Sequence, residues 1–153
     1  MSNSTVLYEI QDGVGTITFN RPQVKNAFNR EMHDELQEAL EHVNNHPEVK
    51  VIVLTGAGDA FCAGADLKSF VSAQQQKGTL DYGEYLKDTY NKNISYIASI
   101  DKPTVAYLNG VAVGAGLSFA LACDFRVAEY DSKMGLGFLK IGLVPDAGAS
   151  FFL

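Results

Sequence analysis

Cysteine, histidine and proline are scarce in this chain, and each scarcity excludes something. Among 153 residues there are two cysteines, three histidines and four prolines. Cys62 and Cys123 stand apart in small, apolar surroundings. They read as reduced, buried thiols, with neither a metal-ligand spacing nor a disulfide framework. His33, His42 and His46 all fall on or just after one segment. The i, i+4 spacing of His42 and His46 suits a metal, but no third ligand is near, and a solvated helix face is the plainer reading. A Ser-His-Asp triad lacks its serine elbow, because no G-x-S-x-G occurs. No G-x-x-x-x-G-K-[ST] phosphate loop occurs either. The run Gly114-Ala115-Gly116-Leu117-Ser118-Phe119 lacks the third glycine of the dinucleotide fingerprint and sits late in the chain. Nucleotide hydrolysis and nicotinamide chemistry are therefore unsupported. No apolar run approaches the ~18 residues of a membrane span. The opening MSNSTVLYEI has neither the basic nor the apolar region of a secretory signal, so a cytoplasmic protein is expected. Positive charge is in deficit, 12 Lys and Arg against 18 Asp and Glu, a net −6. That argues against a general nucleic-acid or anionic-membrane surface, while leaving room for a local basic pocket for a phosphorylated small molecule.

What is present is an ordinary globular composition, 46% hydrophobic and 20% charged, long enough for one domain with a core. Val6 to Ile10 and Val14 to Phe19 alternate around Asp12-Gly13, which predicts a hairpin. A loop over Gln23 to Ala27 precedes a helix from Arg30 to Asn44, with Asn29 as N-cap and one apolar face through Met32, Leu36, Leu40 and Val43. Val49 to Thr55 is a buried strand, and Ala60 to Asp66 a glycine turn. Leu67 to Gln76 starts as a helix and dissolves into a polar loop. A long helix is expected from Tyr82 to Ser99, a strand over Phe125 to Glu129, and a glycine-broken extended piece over Met134 to Leu139. Strand, glycine turn and helix succeed one another at Val51, at Thr104 and again at Leu143, where Asp146-Ala147-Gly148 reads as a helix start. This rhythm predicts an α/β protein with helices covering a sheet. It does not tell a doubly wound sheet from a spiral of β-β-α turns.

The stretch from Pro103 to Asp124 organises the rest. Thr104 to Leu108 is an apolar strand, and Ala115 to Ala122 a helix apolar nearly all round, hence buried. Glycines 110, 114 and 116 permit a close backbone approach. The free N–H groups of such a helix start can hold an anion or an oxyanion, or can simply reflect tight strand–helix packing. Three aspartates stand at helix edges. Asp66 reads as an N-cap to the helix at Leu67. Asp124 serves an ion pair with Arg126 or a turn bond. Asp146 is either a cap or, among apolar neighbours, a carboxylate of raised pKa able to act as a base on a carbon acid.

Taken together and in order, four motifs resemble the crotonase (enoyl-CoA hydratase/isomerase) superfamily across essentially the whole chain. They are Asn20-Arg21-Pro22 with Asn26-Ala27-Phe28-Asn29, Phe61-Cys62-Ala63-Gly64-Ala65-Asp66-Leu67, Lys102 through Asp124, and Gly142-Leu143-Val144-Pro145-Asp146-Ala147-Gly148. The resemblance implies a spiral of β-β-α turns that binds an acyl-CoA. It implies that residues 1–153 are the N-terminal spiral core, lacking a C-terminal helical region that completes the pocket and a homotrimer or hexamer. The apolar end Ser150-Phe151-Phe152-Leu153 agrees with that expectation. It further implies two backbone N–H groups, at Ala63 and Ala115, that hold a thioester oxygen as it becomes an enolate. Coenzyme A contacts are implied at Lys25, Ala27, Ala65, Asp66, Leu67 and Gly114, mostly through backbone. No cofactor or metal is implied beyond the coenzyme A thioester itself, which is the substrate. The two glutamates of the hydratases would stand at Ser118 and Phe138, and neither is acidic here. With Asp146 in its Val-Pro-Asp-Ala-Gly setting, the pattern is similar to the enoyl-CoA isomerases of phenylacetate-type degradation. A weak hydratase and an inactive acyl-CoA-binding relative are the alternatives. A dehalogenase with a nucleophilic aspartate would need a histidine, and none follows His46.

Overall fold

Asp12 and Gly13 both take left-handed φ, 51° and 82°, the two-residue turn whose twist matches a hairpin. Across it β1 (Val6–Gln11) and β2 (Val14–Phe19) pair antiparallel, Val6 opposite Phe19. α1 (Arg30–Asn45) follows, its N-terminus capped by the Asn29 side chain, which accepts from the Met32 N–H. Its apolar stripe buries Met32, Leu36, Leu40 and Val43 against the sheet, and His46 in extended backbone ends it one residue beyond the expected stop.

The computed structural model describes residues 4–69, 71–72 and 81–153. Three successive turns of chain each lay one strand in a first sheet and the next in a second. β3 (Val51–Gly56), β5 (Thr104–Leu108) and β7 (Phe125–Ala128) extend the hairpin in parallel, in the order β1-β2-β3-β5-β7. β4 (Ala60–Cys62), β6 (Val111–Val113) and β8 (Met134–Gly135) form a second parallel sheet in that order. Helices close the turns: α2 (Tyr82–Leu86) running through one π-helical turn (Lys87–Asn91) into α3 (Lys92–Ala98), then α4 (Ala115–Ala122) and α5 (Ala149–Phe152). This is the crotonase-type spiral of β-β-α turns, and it resolves the ambiguity that strand–helix alternation left open.

Two expectations are corrected. The Leu143 stretch is not a third strand; it is irregular, and the helix begins only at Ala149, after Ala147 and Gly148 both take positive φ. Asp146 is consequently not a helix cap. The helix expected over Leu67 to Gln76 is seen at Leu67 to Ser69 and at Val71 and Ser72; its remaining positions lie outside the described residues.

The core lies between the first sheet and the helices. Phe28 stacks on Phe119 with ring centroids 4.6 Å apart, and Phe19 meets Phe28 and Phe61 edge-on. Each of these fully buried rings contributes about 1.5–3 kcal/mol relative to exposure. Asp124 accepts from both the N–H and the hydroxyl of Thr104, while Arg126 donates to the Cys123 carbonyl. Neither reading of Asp124 is observed among the described residues; its carboxylate instead makes a long-range bond to Thr104, 20 residues away. It ties the end of α4 to the start of β5.

Candidate active site

Two glycine turns, one after β4 and one after β6, meet at the mouth of a cavity of about 210 Å³. The approach is close because Gly64 has no side chain: a Cβ there would stand 2.9 Å from the Val113 carbonyl oxygen and 3.7 Å from the Ala115 nitrogen. Gly114 holds φ 57° and ψ −128°, a conformation that side-chain-bearing residues rarely adopt, and this aims the start of α4 into the cavity. Ala63, Ala65, Leu67, Gly114, Ala115 and Asp146, all singled out in the sequence, line it together. Lys25, Ala27 and Asp66 do not.

These last three build the turn from behind. Lys25 and Asn26 take left-handed φ of 51° and 56°. The buried Asn26 side chain accepts from the Arg21 N–H and donates to the carbonyls of Ala57 and Ala60, pinning the loop before β4. Arg21 donates to the Ala27 carbonyl and pairs with Asp66 at 3.0 Å. Asp66 also accepts from the N–H and hydroxyl of Ser69, the N-cap geometry expected of it. Burial acts to raise the Asp66 carboxyl, but the Ser69 bonds and the Arg21 charge overcome it and hold it below its ordinary value.

The peptide groups of this turn correct one expectation. Phe28 bridges in parallel to the turn, donating to the Gly64 carbonyl at 2.8 Å and accepting from the Asp66 N–H at 2.9 Å. The Ala63 N–H is spent on the Lys25 carbonyl at 2.9 Å, so Ala63 is not a free donor. In a parallel bridge the residue between two bonded peptides turns its own N–H the other way. That residue is Ala65, whose N–H has no acceptor among the described residues. The Ala115 N–H, first in α4, has none either, and the helix dipole adds partial positive charge there.

Asp146 lines the same cavity, half-buried, its Oδ2 accepting from the Tyr82 hydroxyl at 3.0 Å. Burial raises the Asp146 carboxyl above its ordinary value, partly offset by the Tyr82 hydrogen bond. Burial and the neighbouring Asp146 charge push the Tyr82 phenol up to about 12. Phe138, Leu143 and Tyr90 supply apolar walls. Ser118 is buried, with its hydroxyl directed back to the Gly114 carbonyl at 3.4 Å. Among the described residues no cluster of three or more His, Cys, Asp or Glu is placed to hold a metal, and no helix is long and apolar enough to cross a membrane. His42 is exposed at the end of α1, and burial pushes Cys62 and Cys123 up to about 12, so both thiols stay protonated.

Sequence reasoning missed Tyr82, Tyr90 and Arg21. A faint signal existed for the tyrosines. They are eight residues apart, and the wider i→i+5 turn at Lys87–Asn91 absorbs the extra residue and brings both to one wall.

Two glycine turns and one carboxylate, Asp146, thus line one cavity on a β-β-α spiral. The chain belongs to the enoyl-CoA hydratase/isomerase family, whose model matches residues 9–153. It is similar to the 1,2-epoxyphenylacetyl-CoA isomerase of Escherichia coli (strain K12), 38% identical over 148 residues that make up 97% of this chain and 56% of that protein. Two crystal structures are also similar. An enoyl-CoA hydratase from Bacillus anthracis is 29% identical with a TM-score of 0.86, over 97% of this chain and 56% of that one. An enoyl-CoA hydratase from Polaromonas sp. JS666 is 31% identical with a TM-score of 0.85, over 96% and 56%. The chain thus spans a little over half the length of these relatives.

Proposed function

We propose that this protein is an acyl-CoA isomerase that moves a double bond from the 3,4 to the 2,3 position of an enoyl thioester. The thioester oxygen accepts from the N–H groups of Ala65 and Ala115. Asp146, as carboxylate, takes a proton from C2, and the electron pair of that C–H bond delocalises to the thioester oxygen. The resulting dienolate is stabilised by the two donors; losing one such donor costs about 10²–10³ in rate in well-studied enzymes. The Asp146 carboxylic acid then returns the proton to C4, and the double bond closes between C2 and C3. One base suffices when both carbons face it. In the same proposal residues 1–153 are the spiral core, a ring-epoxide thioester is a related substrate, and the protein assembles as a trimer or hexamer, which sedimentation would read.

The observation that carries this reading is a single carboxylate of raised pKa in the cavity that holds the two free N–H groups. Hydration needs a second acid to hold and activate water. Phe138 is apolar, and the Ser118 hydroxyl turns to Gly114, which leaves that step without a group. The test is deuterium exchange at C2 and C4 of 3-enoyl-CoA esters, wild type beside Asp146→Asn. Exchange at both carbons and its loss by at least about 10²-fold in Asp146→Asn are expected. Wild-type rates in the variant would refute the assignment. The variant should fold: a carboxyl raised in the folded state contributes stability at low pH that is lost as pH rises through its folded pKa, so its charge stabilises nothing at neutral pH.

A further inference from the structure

The two glycine turns of the cavity leave from strands whose lengths do not match. Ala60 and Val111 are partners across β4 and β6. Ala65 stands five residues beyond the first, and Ala115 four beyond the second. The register then shifts: Cys62 pairs with Ala112, so β4 takes up one extra residue, Phe61. A bulge re-aims the chain that follows it, and this one offsets the difference in length. The turns come together, with Gly64 packed on the Val113 carbonyl and near the Ala115 nitrogen. A slip of one residue would move one turn past the other by about 3.3 Å, too far for two N–H groups to share one oxygen.

Asn109, just before β6, fixes that register. Its Nδ2 donates to the carbonyls of Gly56 at 2.7 Å, Gly58 at 3.0 Å and Ala60 at 3.4 Å. Its Oδ1 accepts from the Gly56 N–H at 3.2 Å and the Thr55 hydroxyl at 3.4 Å. One side chain thus joins the end of β3, the loop after it and the start of β4. Gly110 completes the clamp, since an added Cβ there would lie 2.1 Å from the Asp59 carbonyl oxygen. Asn26 also bonds the Ala57 and Ala60 carbonyls, but Asn109 ties them to the strand that leads to Ala115. Asn109 itself does not line the cavity.

We infer that Asn109 is a positioning residue: by pinning Ala60 opposite Val111 it holds the Ala65 and Ala115 N–H groups at the spacing that one thioester oxygen requires. Its effect falls on polarisation of the carbonyl and on proton transfer, and little on binding. This rests on the oxyanion reading of the site. The probe is hexanoyl-CoA labelled with carbon-13 at the thioester carbonyl, whose stretching frequency drops when the oxygen accepts hydrogen bonds. Isotope-edited infrared spectra are taken on wild type, Asn109→Ser, Asn109→Asp and, as a destabilised control away from the cavity, Glu35→Gln. Asn109→Asp is isosteric and keeps the two acceptor bonds while losing the donated ones. Both Asn109 variants should lose more than half of the wild-type downshift. Their C2 deuterium exchange on 3-enoyl-CoA should fall about 10²-fold, with hexanoyl-CoA Kd changed by less than about threefold. Glu35→Gln should keep the downshift and the exchange rate. A folded Asn109 variant with the full downshift and wild-type exchange overturns this inference alone. So does an equal loss in Glu35→Gln, and so does failure of both Asn109 variants to fold, which would make the residue structural only. Absence of any downshift in wild type overturns the oxyanion reading and this inference with it.

Discussion

Replacing Gly116 by alanine sets two opposing effects against each other. Gly116 lies in the first turn of α4, where helix propensity alone favours alanine by about 1 kcal/mol. The structure says otherwise. An added Cβ would lie 2.3 Å from the Cys62 carbonyl oxygen, 2.9 Å from its carbonyl carbon and 2.8 Å from its Cβ. Two of the three are backbone atoms, so no rotamer change relieves them. Restoring an ordinary contact of about 3.5 Å requires the helix and the β4 turn to separate by about 1 Å. Overpacking of this kind costs about 1–3 kcal/mol, and backbone contacts this short place it toward the upper end. Sterics therefore win, with a net loss of about 1–2 kcal/mol, or about 2–8 °C in Tm for a chain of this size. The displacement also moves the Ala115 N–H away from Ala65, and a shift near 1 Å in a catalytic geometry can cost about 10²-fold. Urea denaturation and C2 deuterium exchange read the two consequences separately. A Gly116→Ala protein at least as stable as wild type, with unchanged exchange, would refute the reasoning.

Two further predictions follow from the same geometry. Asn26→Ala loses three hydrogen bonds, one buried and two partly buried, at about 1 kcal/mol each and leaves alanine in a left-handed conformation that costs about 1 kcal/mol more. The expected destabilisation is about 3–4 kcal/mol by urea unfolding, and a loss under 1 kcal/mol would show that the Asn26 bonds do not hold the turn. Tyr82→Phe removes the hydrogen bond that favours the charged form of Asp146, so its pKa, already raised by burial, should rise further. The acidic limb of the kcat/KM profile should then move to higher pH; an unmoved or lowered limb would separate Asp146 from the activity.

The parts of this fold that the sequence determined by itself are those governed by neighbours in the chain. Asp12-Gly13 has one hairpin geometry, Asn29 caps α1 from three residues away, and the apolar period of Met32 to Val43 can bury only one face. The glycine turns announced a close approach, and Asp146 among apolar neighbours announced a raised carboxyl. The tertiary structure alone decided the rest, because it depends on pairing across long separations. Which peptide of Ala63-Gly64-Ala65 turns its N–H into the cavity is set by the bridge to Phe28 and by the Lys25 carbonyl, and no local pattern encodes that direction. The irregular chain from Leu143 to Gly148 departs from the strand and helix start that its pattern predicts, with Ala147 and Gly148 at positive φ and the helix beginning only at Ala149. Tyr82 reaches Asp146 across 64 residues, and Tyr90 is enclosed only when His33, Phe28 and Phe119 close around it. Hydrogen-bond direction and enclosure are properties of packed neighbours, and the packed neighbours exist only once the spiral has wound.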